Sequence, residues 1–190
     1  MLRKIFRNVK TEYDQFGATK TSDLKKLNLC SGNNTLKGYV NTDMFKGPGI
    51  DKVFDIRKPP FPFKENEFDE IYCRHILNHI SEDHRMEVFD ELYRIGKPGC
   101  VIKILVPFAW SNGSFGHIQH QSFFVKGSFN YYKTSKFFDI KETKAEFKLL
   151  KEELITYGGF RRFLPLKDFL SKFLINIYDD IYYELRIVKN

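Results

Sequence analysis

Short apolar runs separated by glycine and polar links mark most of this chain. Residues 26–30, 39–43, 51–56, 69–75 and 100–106 each read as a strand, rich in β-branched and aromatic residues and bounded by turn formers. Val101-Ile102 and Ile104-Leu105-Val106 are continuous rather than alternating, which suits a strand buried on both faces. Between the fourth and fifth runs, Met86, Phe89, Leu92 and Tyr93 recur at helical spacing. Ser81 is placed to cap that helix, Glu82 and Asp83 favour its positive end, and Gly96, Pro98 and Gly99 stop it. Residues 147–156 and 181–188 alternate as strands, and Pro165 to Ile177 reads as an amphipathic helix joining them. Residues 1–25 read as an N-terminal arm or helix with poor periodicity. No repeat or low-complexity tract is present.

The first two links are short. Only residues 31–38 and 44–50 lie between the first three strands. A parallel crossover normally takes about a dozen residues or more. At roughly 3.3 Å per residue, an extended link of this length just returns along a short strand. Parallel strands therefore require bare loops or single helical turns here. Antiparallel hairpins are the alternative.

Composition sets the class. The chain has 190 residues, 42% hydrophobic and 16% aromatic, enough for one packed domain and too apolar for disorder. Three cysteines, Cys30, Cys73 and Cys100, fall in strands expected to be buried and show no paired spacing, which suits a reducing compartment. The first residues, Met1-Leu2-Arg3-Lys4-Ile5-Phe6-Arg7, have no apolar run behind them, so no secretory signal is read, and no stretch is long enough to span a bilayer. The expected location is cytoplasmic. The net charge of +7 is concentrated before residue 27 and in residues 126–172. Such flanks could contact a polyanion such as RNA or an acidic membrane, but no Arg-rich cluster accompanies them, and ordinary solvated faces are favoured.

The chemistry-bearing residues stand at strand ends. Leu27-Asn28-Leu29-Cys30-Ser31-Gly32-Asn33-Asn34 follows the first strand, Thr42-Asp43 ends the second and Asp55-Ile56 ends the third. Pro60-Phe61-Pro62-Phe63, Phe68-Asp69-Glu70-Ile71, His75-Ile76-Leu77-Asn78-His79-Ile80 and Lys97-Pro98-Gly99 follow in order. A carboxylate at Asp43 is placed to accept hydrogen bonds from vicinal ribose hydroxyls, and a turn cap is the competing role. His75 and His79 are four apart, with His117 and His120 farther on. That is a weak metal pattern, because the pair spans a strand end and a turn and no cysteines cluster nearby, so no metal site is expected.

In this order and spacing the chain resembles the class I S-adenosylmethionine (SAM)-dependent methyltransferases. It looks closest to a small branch similar to methyltransferase type 11, with a Leu-Asn-Leu-Gly-x-Gly start and a Val-Leu-Glu-His-Ile segment. The resemblance covers residues 27–108 well. It implies an α/β, Rossmann-like fold in one domain, with a mostly parallel seven-stranded sheet, shortened first crossovers and a last strand inserted antiparallel. It decides against the hairpins. The chain departs from the family at Cys30 and Asn34, where glycine is usual, and at Asn28 and Asn78, where an acid is usual.

The resemblance also implies a SAM crevice formed by Asn28, Cys30, Gly32, Asp43, Met44, Asp55, Ile56, Arg74 and His75. In it, Asp55 reads the adenine amino group and Ile56 packs on the ring, with plain core packing as the competing role for Ile56. Asp69 is expected to be structural, and His79 to hold its loop. The loop within residues 109–132, in particular Trp110 to Phe124, is expected to cover the substrate as a lid that brings His117 near His75. Its Trp110, Phe115, Phe123 and Phe124 would line a pocket or form the loop's own core. His75 and His117 are the candidate bases. The expected activity is methyl transfer from SAM to a small-molecule or glycan-like acceptor. The competing readings are a nucleic-acid-binding protein on a degenerate methyltransferase fold, or an RNA methyltransferase.

Overall fold

A computed structural model describes residues 24–130, 143 and 145–189. Residues 1–23 of the expected N-terminal arm and residues 131–132 of the substrate-side loop lie outside those residues. Seven strands form one sheet in the order β3-β2-β1-β4-β5-β7-β6. They are β1 (Lys26–Leu29), β2 (Val40–Asp43), β3 (Lys52–Val53), β4 (Phe68–Arg74), β5 (Gly96–Pro107), β6 (Phe147–Ile155) and β7 (Asp180–Ile187). The first five run parallel, and β7 lies antiparallel between β5 and β6. Leu27 faces Val40 and Thr42 faces Lys52 in parallel register, so the hairpin alternative is excluded. Both short links carry only turns, as expected.

Alternation along β1, β4, β5 and β7 sends Leu27, Leu29, Ile71, Cys73, Ile102, Ile104, Tyr183 and Leu185 to one face. Helix α1 (Glu82–Ile95) packs there through Val88, Phe89, Leu92 and Ile95. Each such side chain contributes roughly 1.5–3 kcal/mol of burial. Ser81 stands at the helix start as expected, but its hydroxyl bonds the His84 ring (2.9 Å) instead of the backbone. The chain passes from Ile95 straight into β5 at Gly96. A Cβ there would lie 2.2 Å from the Ile187 side chain, so glycine permits the close approach of β7.

The opposite face is polar yet buried. Lys103 donates to Glu70 (2.8 Å), the Tyr39 hydroxyl also donates to Glu70, and Tyr182 donates to Glu184 (2.7 Å). A buried charge must be paired in this way to be tolerated.

Beneath the crevice, Arg94 of α1 donates to both oxygens of Glu91 and to the carbonyls of Phe61 and Phe63. Glu91 in turn accepts the Phe61 N–H (2.6 Å). This staple holds the Pro60–Phe63 segment, whose rings pack with Phe54 and Phe68.

Two expectations are corrected. The third strand pairs only over Lys52–Val53, because the chain turns away at Asp55. Pro165 to Ile177 is not one helix: it holds a single turn, Lys167–Leu170, flanked by left-handed Leu166 and Asn176. Phe163, Leu166, Phe169 and Phe173 stay exposed, so no packing supports a longer helix.

Candidate active site

The crevice lies at the carboxyl ends of β1, β2 and β4. After β1 the chain turns through Cys30 (φ 51°) and Gly32 (φ 51°). Nothing lies within 4 Å of a Cβ built on Gly32, so the turn leaves space for a ligand's close approach. The Ser31 N–H donates to Thr42 (2.7 Å) and the Gly32 N–H to the Asp43 carboxylate (2.9 Å). The other Asp43 oxygen accepts the Phe45 N–H (3.1 Å). A carboxylate has about four acceptor positions, so Asp43 holds the loop and still has lone pairs for hydroxyls.

The remaining candidates divide. Asn28 is 1% exposed, and its amide donates to Asn34 and Asn41, so it closes the loop from below. The Cys30 thiol is pushed up to about 12 by burial, then by the nearby Asp43 and Asp55 charges, which brings these three residues together. Asp55 is held down at about 2, first by the Arg57 side chain. Arg57 grips both its oxygens (2.9 and 2.8 Å), so only part of the carboxylate is free for a base. Ile56 is buried and belongs to the core, while Met44 is exposed beside Asp43.

At the end of β4, His75 adopts φ 51°, a left-handed conformation that costs a non-glycine residue of order 1 kcal/mol or more and recurs at functional sites. Its Nε2 lies 2.8 Å from Asp180 Oδ2, and the Tyr157 hydroxyl donates to the same oxygen. Asp180 is 3% exposed. A carboxylate only accepts, so Nε2 carries the proton and Nδ1 keeps the lone pair in neutral His75. Burial first, then Asp180, pushes the Tyr157 phenol well above its usual range. The sequence reading missed Asp180. Its signal was an acid at the start of the inserted strand, opposite Pro107 in register.

The loop after β5 is tied down, not free. Gln121 and Ser122 donate their N–H groups to Asn78 (2.8 and 3.1 Å), and the Ser122 hydroxyl donates to Ile80 (2.6 Å). Phe124 is buried, whereas Trp110 is exposed, as is the stacked pair Phe115–Phe123. His117 and His120 both reach the His79 ring, at centroid distances of 5.2 and 4.7 Å. Burial first, then the His120, His117 and His75 charges, pushes His79 below the ordinary histidine range, against a backbone hydrogen bond with Gln119. His117 thus packs on His79, four residues after His75 in the turn that follows β4.

Residues 27–104 match the family model for a methyltransferase domain. No curated protein matches. Among solved structures, the chain is similar to a SAM-dependent methyltransferase from Archaeoglobus fulgidus, with 11% identity and a TM-score of 0.59 over 97% of this chain and 94% of that one. A SAM-dependent methyltransferase from Methanosarcina mazei gives 12% identity and a TM-score of 0.57, over 94% and 97%. The [4+2]-cyclase SpnF gives 11% identity and 0.54, over 88% and 75%. The sheet as a whole shares the fold of those SAM-dependent methyltransferases, and residues 27–104 carry the methyltransferase-domain match, which implies S-adenosylmethionine as the donor. The residues present fit that donor: an open turn at Gly32, and Asp43 with lone pairs to spare. Among the described residues, no helix is long and apolar enough to cross a membrane.

Proposed function

We propose that the domain methylates a hydroxyl-bearing small molecule or glycan-like acceptor at this crevice, with His75 as the base. The observation that carries this reading is the His75–Asp180 pair, strained into place at the end of β4 beside the Gly32–Asp43 turn. SAM supplies an activated methyl group when bound. The chain's own work is to position the acceptor, worth of order 7–11 kcal/mol in favourable cases, and to remove its proton. Asp43 and the Gly32 turn hold the donor. Asp180 fixes the His75 ring so that Nδ1 can accept a proton and stabilises the imidazolium that results. The exposed rings of Trp110, Phe115 and Phe123 offer flat surfaces for an acceptor. Three free thiols, Cys73 and Cys100 buried and Cys30 half-buried, support a cytoplasmic location.

The test is calorimetry with SAM and its demethylated product, followed by turnover on a panel of hydroxylated acceptors. His75→Ala should leave SAM binding within about 3-fold and lower turnover by about 10²–10⁴. Unchanged turnover would remove His75 from the chemistry. Failure to bind either nucleoside would remove the methyl-transfer reading itself.

A further inference from the structure

Three of the chain's five histidines gather where the loop after β5 meets the turn after β4. His79 ends the single turn Leu77–His79. His117 and His120 flank a tight turn closed by the His120 N–H donating to the His117 carbonyl (3.0 Å), which puts both side chains on one side. Their ligand atoms and that of His79 all lie within 4.8 Å of one another. We propose that His79, His117 and His120 form a site for a divalent transition metal of the zinc type, at the mouth of the crevice, with its remaining position open to an oxygen ligand.

The hydrogen bond of His120 supports this, while the long contact of the Gln119 N–H with His117 Nδ1 (3.4 Å) is one that metal binding through His117 displaces. A histidine that binds a metal through one ring nitrogen donates its other N–H to a carbonyl, carboxylate or water, which fixes tautomer and orientation. His120 Nδ1 lies 2.7 Å from the Ser114 carbonyl, so Nδ1 carries the proton and Nε2 is left with a lone pair. Three imidazoles with no carboxylate among them suit zinc, cobalt or nickel rather than magnesium or calcium. Zinc–nitrogen bonds of about 2.0–2.1 Å in a tetrahedron bring ligand nitrogens to roughly 3.4 Å apart. The trio must therefore contract by at most about 1.4 Å. His117 is exposed, and Ile118 beside it is 98% exposed, so the tip of the loop can make that adjustment by side-chain rotation. Three protein ligands and one open position is the pattern of a metal that takes a water or a substrate oxygen.

The site's nearness to the acceptor rests on the methyl-transfer reading; metal binding does not. The test is calorimetric titration of the metal-stripped chain with zinc chloride, with cobalt absorption in the visible as a report on geometry and SAM binding measured on the same sample. One equivalent of metal should bind, and the cobalt spectrum should be tetrahedral. His117→Ala and His120→Ala should each weaken binding by more than the 10–100-fold that loss of an outer-shell partner costs. His84→Ala, whose ring bonds Ser81 away from the trio, should bind as wild type. His120→Gln guards against a folding defect, and added zinc should raise the melting temperature of wild type but not of this variant. Wild type that takes up no stoichiometric metal, or His84→Ala weakening binding as much as His120→Ala, would overturn the site. SAM binding retained in that case would leave the methyl-transfer reading standing.

Discussion

Replacing Arg94 by Met tests how the floor of the crevice is held. The guanidinium makes four hydrogen bonds, to the two Glu91 oxygens (2.6 and 2.7 Å), Phe63 (2.9 Å) and Phe61 (3.0 Å). Methionine keeps the apolar stem and removes all four. Glu91, 8% exposed, is then left with only the Phe61 N–H. Breaking a buried ion pair from one side costs about 3–5 kcal/mol. The Arg94 side chain is 31% exposed, so water replaces part of what is lost, and about 2–3 kcal/mol is expected. In urea, with a slope of about 2 kcal/mol/M, the unfolding midpoint should fall by roughly 1–1.5 M at unchanged slope. SAM should also bind more weakly, because the released Phe61–Phe63 segment continues from Asp55 and Ile56. The double variant Arg94→Met with Glu91→Leu removes the unpaired Glu91 charge but leaves the Phe61 N–H and the Phe61 and Phe63 carbonyls without these partners, so it should recover only part of the loss. A single-variant midpoint within about 0.3 M of wild type would refute the staple as a source of stability.

Asp43→Ala should weaken SAM binding by about 10–150-fold, from loss of about 1.5–3 kcal/mol of charged hydrogen bonding; an unchanged dissociation constant in a folded variant refutes the ribose role. Acid should destabilise the fold as pH falls from about 4 towards 2. Asp55 (held at about 2), Glu67 and Glu91 are depressed in the folded state, so their contribution is complete above their ordinary values near 4 and is lost as pH falls through the folded ones. Burial is the largest single influence on both glutamates and opposes the shift, but Lys25 with the Lys64 N–H outweighs it at Glu67, and Arg94 with the Phe61 N–H at Glu91. Denaturation midpoints that stay flat from pH 5 to 2 would contradict this. The three thiols should react slowly with a disulfide reagent at pH 8 in the native protein and rapidly in denaturant, because burial raises all three. Fast native labelling would show that the core opens.

The sheet was legible because its strands are runs of Leu, Ile, Val and Tyr with glycine at their ends, and α1 because its apolar residues recur at helical spacing. Asp43 was legible as an acid ending a strand after a glycine turn. The segment Pro165 to Ile177 misled for the same reason: it repeats the apolar spacing of a helix, but Leu166, Phe169 and Phe173 stay exposed. The histidines were legible only as a weak metal pattern that included His75 and was set aside, because His79 and His120 are forty-one positions apart and meet only through the tether of Gln121 and Ser122 to Asn78. The His75–Asp180 pair was hidden for the same reason, since it depends on where β7 enters the sheet. At Asn28 the pattern shows the residue type and not the neighbour, Asn41, that takes up its amide.

The position of β7 also sets an order of events. It follows every other strand in the chain, yet its place is between β5 and β6. Until it arrives, β5 and β6 cannot be joined, and each presents an unpaired edge on which another chain could template. The same strand brings in Asp180, so His75 has no carboxylate until the sheet is closed. During synthesis the half proposed to bind the nucleoside, built from neighbours close in sequence, can form first, while the His75–Asp180 pair proposed as the base forms only at closure. A nascent or truncated chain would therefore be able to hold its donor before it could act on an acceptor.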